Sequence, residues 1–275
     1  MLVFLQSLPV QTALALSAAT VLLCGTLGLF TLIRGQAFAG HAMADISSAG
    51  GAGSLLLGLS PLSGFLLFGL AGAGALEVLQ SRHTTTRDEA AGILLGAGTG
   101  ITALLLHFCL THHGASGAVQ TIMFGAMFAI PLKTVFWAWG LTLICLLALS
   151  LIARPLLLTS LEPDLARVCG LPVRILGLVF MLLLALGVTL AAMTIGAILA
   201  TALLVGPPAV ALRLARSTPM AVALSLACGL ASCWGGIVLA YMSYSWLPGH
   251  TWPVSFFIVA LLLLFYLISR VKPWA

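Results

Sequence analysis

Charged residues are scarce in this chain, which has 6% Asp, Glu, Lys and Arg among 275 residues. An ordinary globular protein is about a quarter charged, so this composition excludes a typical soluble domain. Hydrophobic residues make up 61% of the chain, and the mean hydropathy is +1.21. The sequence therefore predicts a polytopic protein in contact with membrane lipid. Its net charge of +5 is attributed to loop topology, and no nucleic-acid partner is expected.

Two motifs are absent, and each absence excludes a class of site. No GxxxxGK[ST] loop occurs, and no soluble segment is large enough for a nucleotide-binding domain, so the chain is expected to bind no ATP and to be no enzyme. No CxxC pair occurs either, which argues against a disulfide framework or a cysteine metal site. The six cysteines are expected to be small buried residues: Cys24, Cys109, Cys145, Cys169, Cys228 and Cys233.

Long apolar runs divide the chain into membrane spans, because a helix needs about 20 apolar residues to cross the hydrocarbon core. The runs predict an all-α bundle of nine spans, or eight if the second is re-entrant or a pair is merged. We place the spans at about 12–33, 37–59, 62–80, 90–110, 133–153, 175–192, 194–213, 219–242 and 253–269. We also expect a half-helix at 120–130, a tight link near 193–194, and a break of the seventh span at 207–208. All 275 residues are expected to form one transmembrane domain.

Basic residues indicate which loops share one side of the membrane. Ten of the eleven can lie on a single face, and only Lys133 must lie opposite. Cytoplasmic loops retain Lys and Arg, so nine spans put the amino terminus outside and the carboxyl terminus inside. The ten are Arg34, Arg82, Arg87, Arg154, Arg167, Arg174, Arg213, Arg216, Arg270 and Lys272.

Asp45 is an acidic residue deep inside a predicted span, four residues after His41, whereas Glu77 lies within about one turn of the end of the third span. An ionisable group at membrane depth costs about 2.5–3.5 kcal/mol and usually faces a cavity or a partner. A spacing of four puts both side chains on one helix face, and together they suit Zn²⁺, Mn²⁺ or Fe²⁺. Two ligands suit a transient site that a second copy of the chain completes. The alternatives are a plain Asp–His hydrogen bond and a polar helix entry near the interface.

A histidine cluster is predicted at the outer end of the fourth span. His107, His112 and His113 are close in sequence there, and His250 lies in another outer turn. Such a cluster can capture metal or titrate near neutral pH, and histidines are also ordinary interfacial residues. We keep both interpretations open.

Four segments resemble the permease subunit of zinc/manganese/iron ATP-binding-cassette (ABC) importers, and they span nearly the whole chain in order. The most specific are LEPDLARVCGLPVR at 161–174 and AAMTIGAILATALLVGPPA at 191–209, supported by RGQAFAG at 34–40 and FGAMFAI at 124–130. The resemblance implies a permease of the metal or vitamin importer type in a bacterial cytoplasmic membrane. It also implies a permease homodimer, an ATPase dimer on the cytoplasmic side and an extracytoplasmic metal-binding protein.

The resemblance also gives the 161–174 loop a role as a coupling helix seated in the ATPase. Glu162, Pro163 and Asp164 form a good helix start, and Gly170 a good stop, with Arg167 between them. The cargo, zinc first and then manganese or iron, is a substrate, and no permanently bound cofactor is implied.

One segment departs from the family pattern. The family usually reads Gly-Asp-Ala-x-Ser-His-Ala-x-x-Pro-Gly in the second span, whereas this chain has His41 before Asp45, and Ala49 where proline is expected. We therefore assign both residues to the pathway by position only, with acid and imidazole exchanged. The exchange leaves open a permease for a metal chelate or a cobalamin-like solute. A secondary transporter that needs no ATPase and a structural scaffold are the remaining alternatives.

Overall fold

The computed structural model describes residues 7–80, 87–113, 116–246 and 252–271, which form eleven α-helices and no strand. We number the helices in chain order. They are α1 Leu8–Ile33, α2 Ala37–Leu56, α3 Pro61–Gln80, α4 Arg87–His113, α5 Ser116–Phe124, α6 Leu132–Leu161, α7 Pro163–Val168, α8 Val173–Ile195, α9 Ala197–Leu214, α10 Thr218–Trp246 and α11 Val254–Val271. The predicted all-α fold class is confirmed.

Eight of the described helices are long and apolar enough to cross a membrane: α1, α3, α4, α6, α8, α9, α10 and α11. These eight leave out α2, which runs from the end of α1 to the start of α3 and would be the ninth span of the sequence prediction. Helix α2 is an unbroken helix of 20 residues, so it has the length of a span but carries His41, Asp45 and three serines. It tolerates these polar groups because α3, α4, α8 and α9 surround it.

Close backbone contact holds α2 against α3. A Cβ atom added to Gly50 would lie 2.1 Å from the carbonyl oxygen of Gly64, and one added to Gly64 would lie 2.2 Å from that of Gly50. Only residues without a side chain allow two helices to approach this closely in lipid. The glycine-rich sequence of α2 therefore sets its distance from α3.

Ion pairs and polar contacts bring one set of helix ends together. Arg34, after α1, donates from Nη1 to Ser160 Oγ of α6 at 3.1 Å, and its guanidinium lies 5.4 Å from the ring centroid of Phe180 in α8. Arg174 Nε, in the first turn of α8, lies 3.8 Å from Glu77 Oε1, in the last turn of α3. The carboxyl ends of α1, α3 and α6 thus meet the start of α8 at what we call the basic end.

The remaining described basic residues fit this arrangement. Lys133 is in the first turn of α6, so it lies at the end opposite the basic end. Arg213, in the last turn of α9, donates from Nη2 to the Tyr266 hydroxyl of α11 at 3.2 Å. The structure separates these residues as the sequence predicts. Arg82, Lys272 and the side chain of Arg87 lie outside the described residues.

Two glycines shape the end opposite the basic end, and both correct a predicted boundary. The predicted half-helix at 120–130 is instead α5, which ends at Phe124 because Gly125 takes a φ of +83°. The link between α8 and α9 falls at Gly196, with a φ of +94°, and not at 193–194. A Cβ atom on Gly125 would lie 2.7 Å from the Gly196 nitrogen, so the two turns pack directly on each other.

The predicted break in the seventh span is wrong, because α9 continues through Pro207 and Pro208. Proline has no N–H group, so Pro208 leaves the carbonyl oxygen of Leu204 without its usual helical donor. At this point α1 presents Gly28, where an added Cβ would lie only 2.0 Å from that oxygen. Close packing by the neighbouring backbone covers the carbonyl and accommodates the prolines within the helix.

Candidate functional site

Helix α2 presents its two ionisable side chains to different neighbouring helices. His41 Nδ1 lies 2.8 Å from Thr201 Oγ1 of α9. Asp45 Oδ2 accepts a hydrogen bond of 2.9 Å from Thr99 Oγ1 of α4. Both ionisable residues are partly buried, and they point about 40° apart around the helix axis. The predicted pair is therefore on one side of α2, and its described hydrogen bonds run to threonines.

Hydroxyl groups also hold the α2 backbone beside Asp45. The Asp45 carbonyl oxygen accepts from Ser48 Oγ at 2.7 Å and from Thr102 Oγ1 of α4 at 3.2 Å. Two residues after Asp45, Ser47 Oγ lies 3.0 Å from Thr189 Oγ1 of α8. Buried polar groups are stable only when they are hydrogen-bonded, and these hydroxyl and carbonyl groups are hydrogen-bond partners of one another within the bundle. The network fixes the rotation of α2 about its axis.

A lateral groove runs along α2, α9 and α11 and reaches His41. It encloses about 730 Å³ and is lined mainly by apolar side chains such as Val205 and Leu262. Its polar lining residues are His41, Thr201 and Tyr266, and Tyr266 also contacts Arg213 towards the basic end. Because the groove leaves the His41 ring accessible, the imidazole can bind a mobile ion and release it again.

Within the described residues, no three His, Cys, Asp or Glu side chains come together as a metal site. His41 and Asp45 supply one nitrogen and one carboxylate, which is fewer than a closed structural site requires. The six cysteines are free. Four are buried as the sequence predicts (Cys24, Cys109, Cys145 and Cys233), but Cys228 is half-buried and Cys169, at the end of α7, is exposed, so the prediction is wrong for these two. The chemistry available to one copy of the chain is thus weak, reversible coordination of a divalent cation.

The predicted outer histidine cluster is only partly visible. His107 is exposed on α4, and its ring centroid lies 6.1 Å from that of Phe108. His112 and His113 belong to the last turn of α4, but their side chains lie outside the described residues, as does His250. Among the described side chains, no second histidine lies beside His107. Capture of metal at this end of α4 therefore stays a prediction.

The 161–174 loop contains a short capped helix, α7, at the basic end. Glu162 precedes it, Pro163 occupies its first turn, and Asp164 Oδ1 lies 2.8 Å from Arg167 Nη1 on its exposed side. Gly170, with a φ of +75°, ends the helix. The loop then closes as a Schellman motif, with 3.0 Å hydrogen bonds from the Gly170 nitrogen to Arg167 O and from the Leu171 nitrogen to Ala166 O.

Helix α7 is anchored on one side and apolar on the other. Ala166 is fully buried, and the helix packs against α6 and α8. Leu165 and Val168 are exposed by 51% and 85% and lie three residues apart on α7, and Leu161, the last residue of α6, is exposed by 65%. We call these three side chains the apolar ridge of α7. Exposed apolar side chains beyond the end of a span indicate a protein contact.

Sequence reasoning missed the threonines that hold the ionisable pair. Thr99 and Thr201 are 54 and 160 residues away from their partners along the chain. No local pattern signals such a pairing, because a threonine in an apolar helix most often bonds to a carbonyl of its own helix. The only usable signal is the scarcity of hydroxyls on α9, where Thr201 stands alone.

The fold and site define a multi-pass membrane protein in which a polar helix is enclosed by apolar ones and a capped helix projects from one end. The profile of the ABC 3 transport family matches residues 7–272, so the chain belongs to that family and is a membrane permease of the ABC type. The family that the sequence motifs indicate is thereby confirmed. The protein is accordingly a multi-pass protein of the bacterial cytoplasmic membrane.

Named relatives agree with this assignment. The manganese transport system membrane protein MntC of Halalkalibacterium halodurans is 30% identical over 227 residues, covering 82% of this chain and 77% of its own. The chelated iron transport system membrane protein YfeD of Yersinia pestis is 26% identical over 267 residues, covering 96% and 86%. The solved structure of PsaBC from Streptococcus pneumoniae in complex with Fab aligns with a TM-score of 0.82 at 27% identity, covering 96% of this chain and 91% of the other.

Proposed function

We propose that this permease imports a divalent transition metal ion, which passes His41 and Asp45 on its way through the membrane. The observation that carries the proposal is the enclosure of these two ligands on α2. They are half-buried between α4 and α9, where an ionisable group is costly unless it serves a cavity or a partner. Alternating access at this position needs no covalent chemistry from the chain.

Manganese is the ion to test first. The sequence motifs put zinc before manganese, but the relatives named for a metal carry manganese or chelated iron in their names, and none of those compared above is named for zinc. One imidazole nitrogen and one carboxylate accept Mn²⁺, Fe²⁺ and Zn²⁺, so the ligand types do not choose among them. The order of preference therefore follows the relatives.

The coupling partner is proposed to be an ABC ATPase that seats the segment 161–174. The apolar ridge of α7 supports this, because Leu161, Leu165 and Val168 are exposed at the basic end. Glu162, Pro163, Asp164, Arg167 and Gly170 then act by shaping and capping α7. We regard residues 1–275 as one permease domain and the basic end as cytoplasmic, which is the side where the proposed ATPase would bind.

A second copy of the chain is proposed to complete the metal pathway, with an extracytoplasmic binding protein delivering the ion. His41 and Asp45 keep part of their surface uncovered by their own chain. Facing lipid with that surface is unfavourable, and a partner copy would both cover it and double the number of ligands. The homodimer and the binding protein are thus parts of the same proposal.

Uptake in the source organism tests the pathway. The chromosomal copy is replaced by His41→Ala, Asp45→Ala or, as a control, Ser150→Ala, whose exposed hydroxyl bonds only to Leu147 O of its own helix. We expect both pathway variants to lose most radiolabelled manganese uptake, by about 100-fold if a ligand is essential. The control should match the wild type. Wild-type uptake in both pathway variants, at equal protein amounts, would exclude this route.

A permease for a chelated metal is the second candidate, favoured by the YfeD likeness over 96% of the chain. Supplying free Mn²⁺, free Zn²⁺ and a chelated iron in separate assays distinguishes it, because a chelate should then be the sole cargo. Uptake that persists after deletion of the ATPase partner would favour a secondary transporter. A chain that fails to move any of these solutes would favour a scaffold.

A further inference from the structure

Thr201 and Thr99 each contact one ionisable side chain of α2, which distinguishes them from the threonines of α1. The hydroxyls of Thr20, Thr26 and Thr31 in α1 bond to carbonyls of their own helix. Thr201 Oγ1 instead lies 2.8 Å from His41 Nδ1, and Thr99 Oγ1 reaches Asp45 Oδ2 at 2.9 Å. We propose that these two threonines are positioning residues that set which atom of each ligand faces the ion. The proposal rests on the pathway function above.

At His41 the threonine sets the tautomer. A cation bound at Nε2 requires a lone pair there, so the neutral ring must carry its proton on Nδ1. Thr201 Oγ1 is the acceptor within reach of that proton. Metal-binding histidines regularly donate their other ring N–H to such a partner, which fixes the ring orientation and makes the ligand more basic. Thr201 therefore turns Nε2 away from α9 and towards the ion.

At Asp45 the threonine occupies one oxygen. Thr99 Oγ1 lies 2.9 Å from Asp45 Oδ2 and 2.8 Å from Leu95 O, so its single proton is shared between a carboxylate and a carbonyl. The Asp45 carbonyl is held from the same helix, α4, by Thr102. With backbone and Oδ2 both fixed, the remaining oxygen Oδ1 is the one offered to the cation.

The same two threonines are compatible with the order of His41 before Asp45, which is the reverse of the family pattern. A hydroxyl accepts from an imidazole N–H as readily as it donates to a carboxylate. Thr201 uses the first capacity towards His41 and Thr99 the second towards Asp45. A hydroxyl at each position therefore supports either order of acid and imidazole, and the chain needs no additional partner to keep both ligands oriented.

Isosteric substitution in the intact transporter tests the proposal. Thr201→Val and Thr99→Val keep the side-chain volume and remove the hydroxyl, whereas Thr201→Ser and Thr99→Ser restore it. The matched control is Thr26→Val, at a half-buried threonine that bonds only within α1. We measure radiolabelled manganese uptake in the source organism at saturating metal, scaled to the amount of permease in the membrane, together with the thermal unfolding midpoint of each purified variant.

Loss of an outer-shell partner typically lowers metal affinity or activity by about 10- to 100-fold. We expect about a 10-fold fall in uptake for each valine variant, recovery to within about twofold for each serine variant, and no change for Thr26→Val, with similar unfolding midpoints throughout. Valine variants that transport like the wild type would overturn the proposal. So would serine variants as slow as the valine ones, because packing and not the hydroxyl would then be responsible.

The pathway variants keep the two proposals distinguishable. If His41→Ala and Asp45→Ala abolish uptake while the valine variants do not reduce it, the positioning role alone is wrong. If all of these variants transport normally, the ion takes another route and both proposals are wrong. If a valine variant fails to accumulate in the membrane, its serine counterpart is compared with the wild type instead. Serine keeps the hydroxyl and lacks the methyl group, so wild-type uptake in the serine variant supports the positioning role, whereas slower uptake means that packing governs the site and overturns it.

Discussion

Helices α2 and α7 carry the two roles that we propose for this permease, and they are held in opposite ways. Four helices surround α2, and hydroxyl groups from α4, α8 and α9 fix its polar side chains. Among the described helices, α6 and α8 are the main neighbours of α7, whose apolar ridge is exposed. The comparison teaches that the helix proposed to carry the metal ligands is enclosed by four helices of the bundle, whereas the helix proposed to meet the ATPase leaves its apolar side chains uncovered.

The largest effect should come from separating α2 from α3. In Gly64→Val, the new Cβ would lie 2.2 Å from Gly50 O and 1.9 Å from Ser54 Oγ, and backbone cannot move aside cheaply. Overpacking of this kind costs about 1–3 kcal/mol or more, so we expect little folded protein and no uptake. Membrane abundance and the thermal unfolding midpoint measure the effect. Gly74→Ala in the same helix is the control, since nothing lies within 4 Å of its added Cβ.

An intermediate effect should follow from a charge on the apolar ridge. Val168→Asp places a carboxylate where the side chain is 85% exposed, so folding should be unaffected. A buried charge at a protein interface commonly costs about 2 kcal/mol or more, so uptake and copurification of the ATPase should fall by at least 10-fold. Val271→Asp is the matched control, at an exposed valine (82%) at the end of α11. Equal losses in both variants would contradict the docking role of α7.

The smallest effect should come from the ion pair on α7. Asp164 and Arg167 are 89% and 67% exposed, and an exposed pair contributes about 0–1 kcal/mol. Arg167→Ala should therefore leave the unfolding midpoint within error and change uptake by less than about twofold. A loss as large as that of Val168→Asp would mean that Arg167 itself contacts the partner, which would move the docking surface from the apolar ridge to the charged side of α7.

Local signals explain why α7 could be predicted and the surroundings of α2 could not. Pro163 and Gly170 act on neighbouring backbone atoms, and the structure has the helix between them. The partners of His41 and Asp45 depend on how four helices pack, which no short window of sequence encodes. The predicted helix break at the prolines of α9 is wrong for the same reason. The contact that accommodates them comes from Gly28, about 180 residues earlier in the chain, and no nearby sequence signals it.

The length of α6 bears on where the ATPase proposed to bind α7 would meet the permease. Lys133 and Arg154 are 21 residues apart on one helix, a rise of about 32 Å, which matches the hydrocarbon thickness of a bilayer. The helix then continues to Leu161, about two turns beyond Arg154. With the hydrocarbon core placed between Lys133 and Arg154, these two turns put α7 at the level of the phosphate headgroups. A water-soluble ATPase could therefore reach α7 without entering the hydrocarbon core of the bilayer.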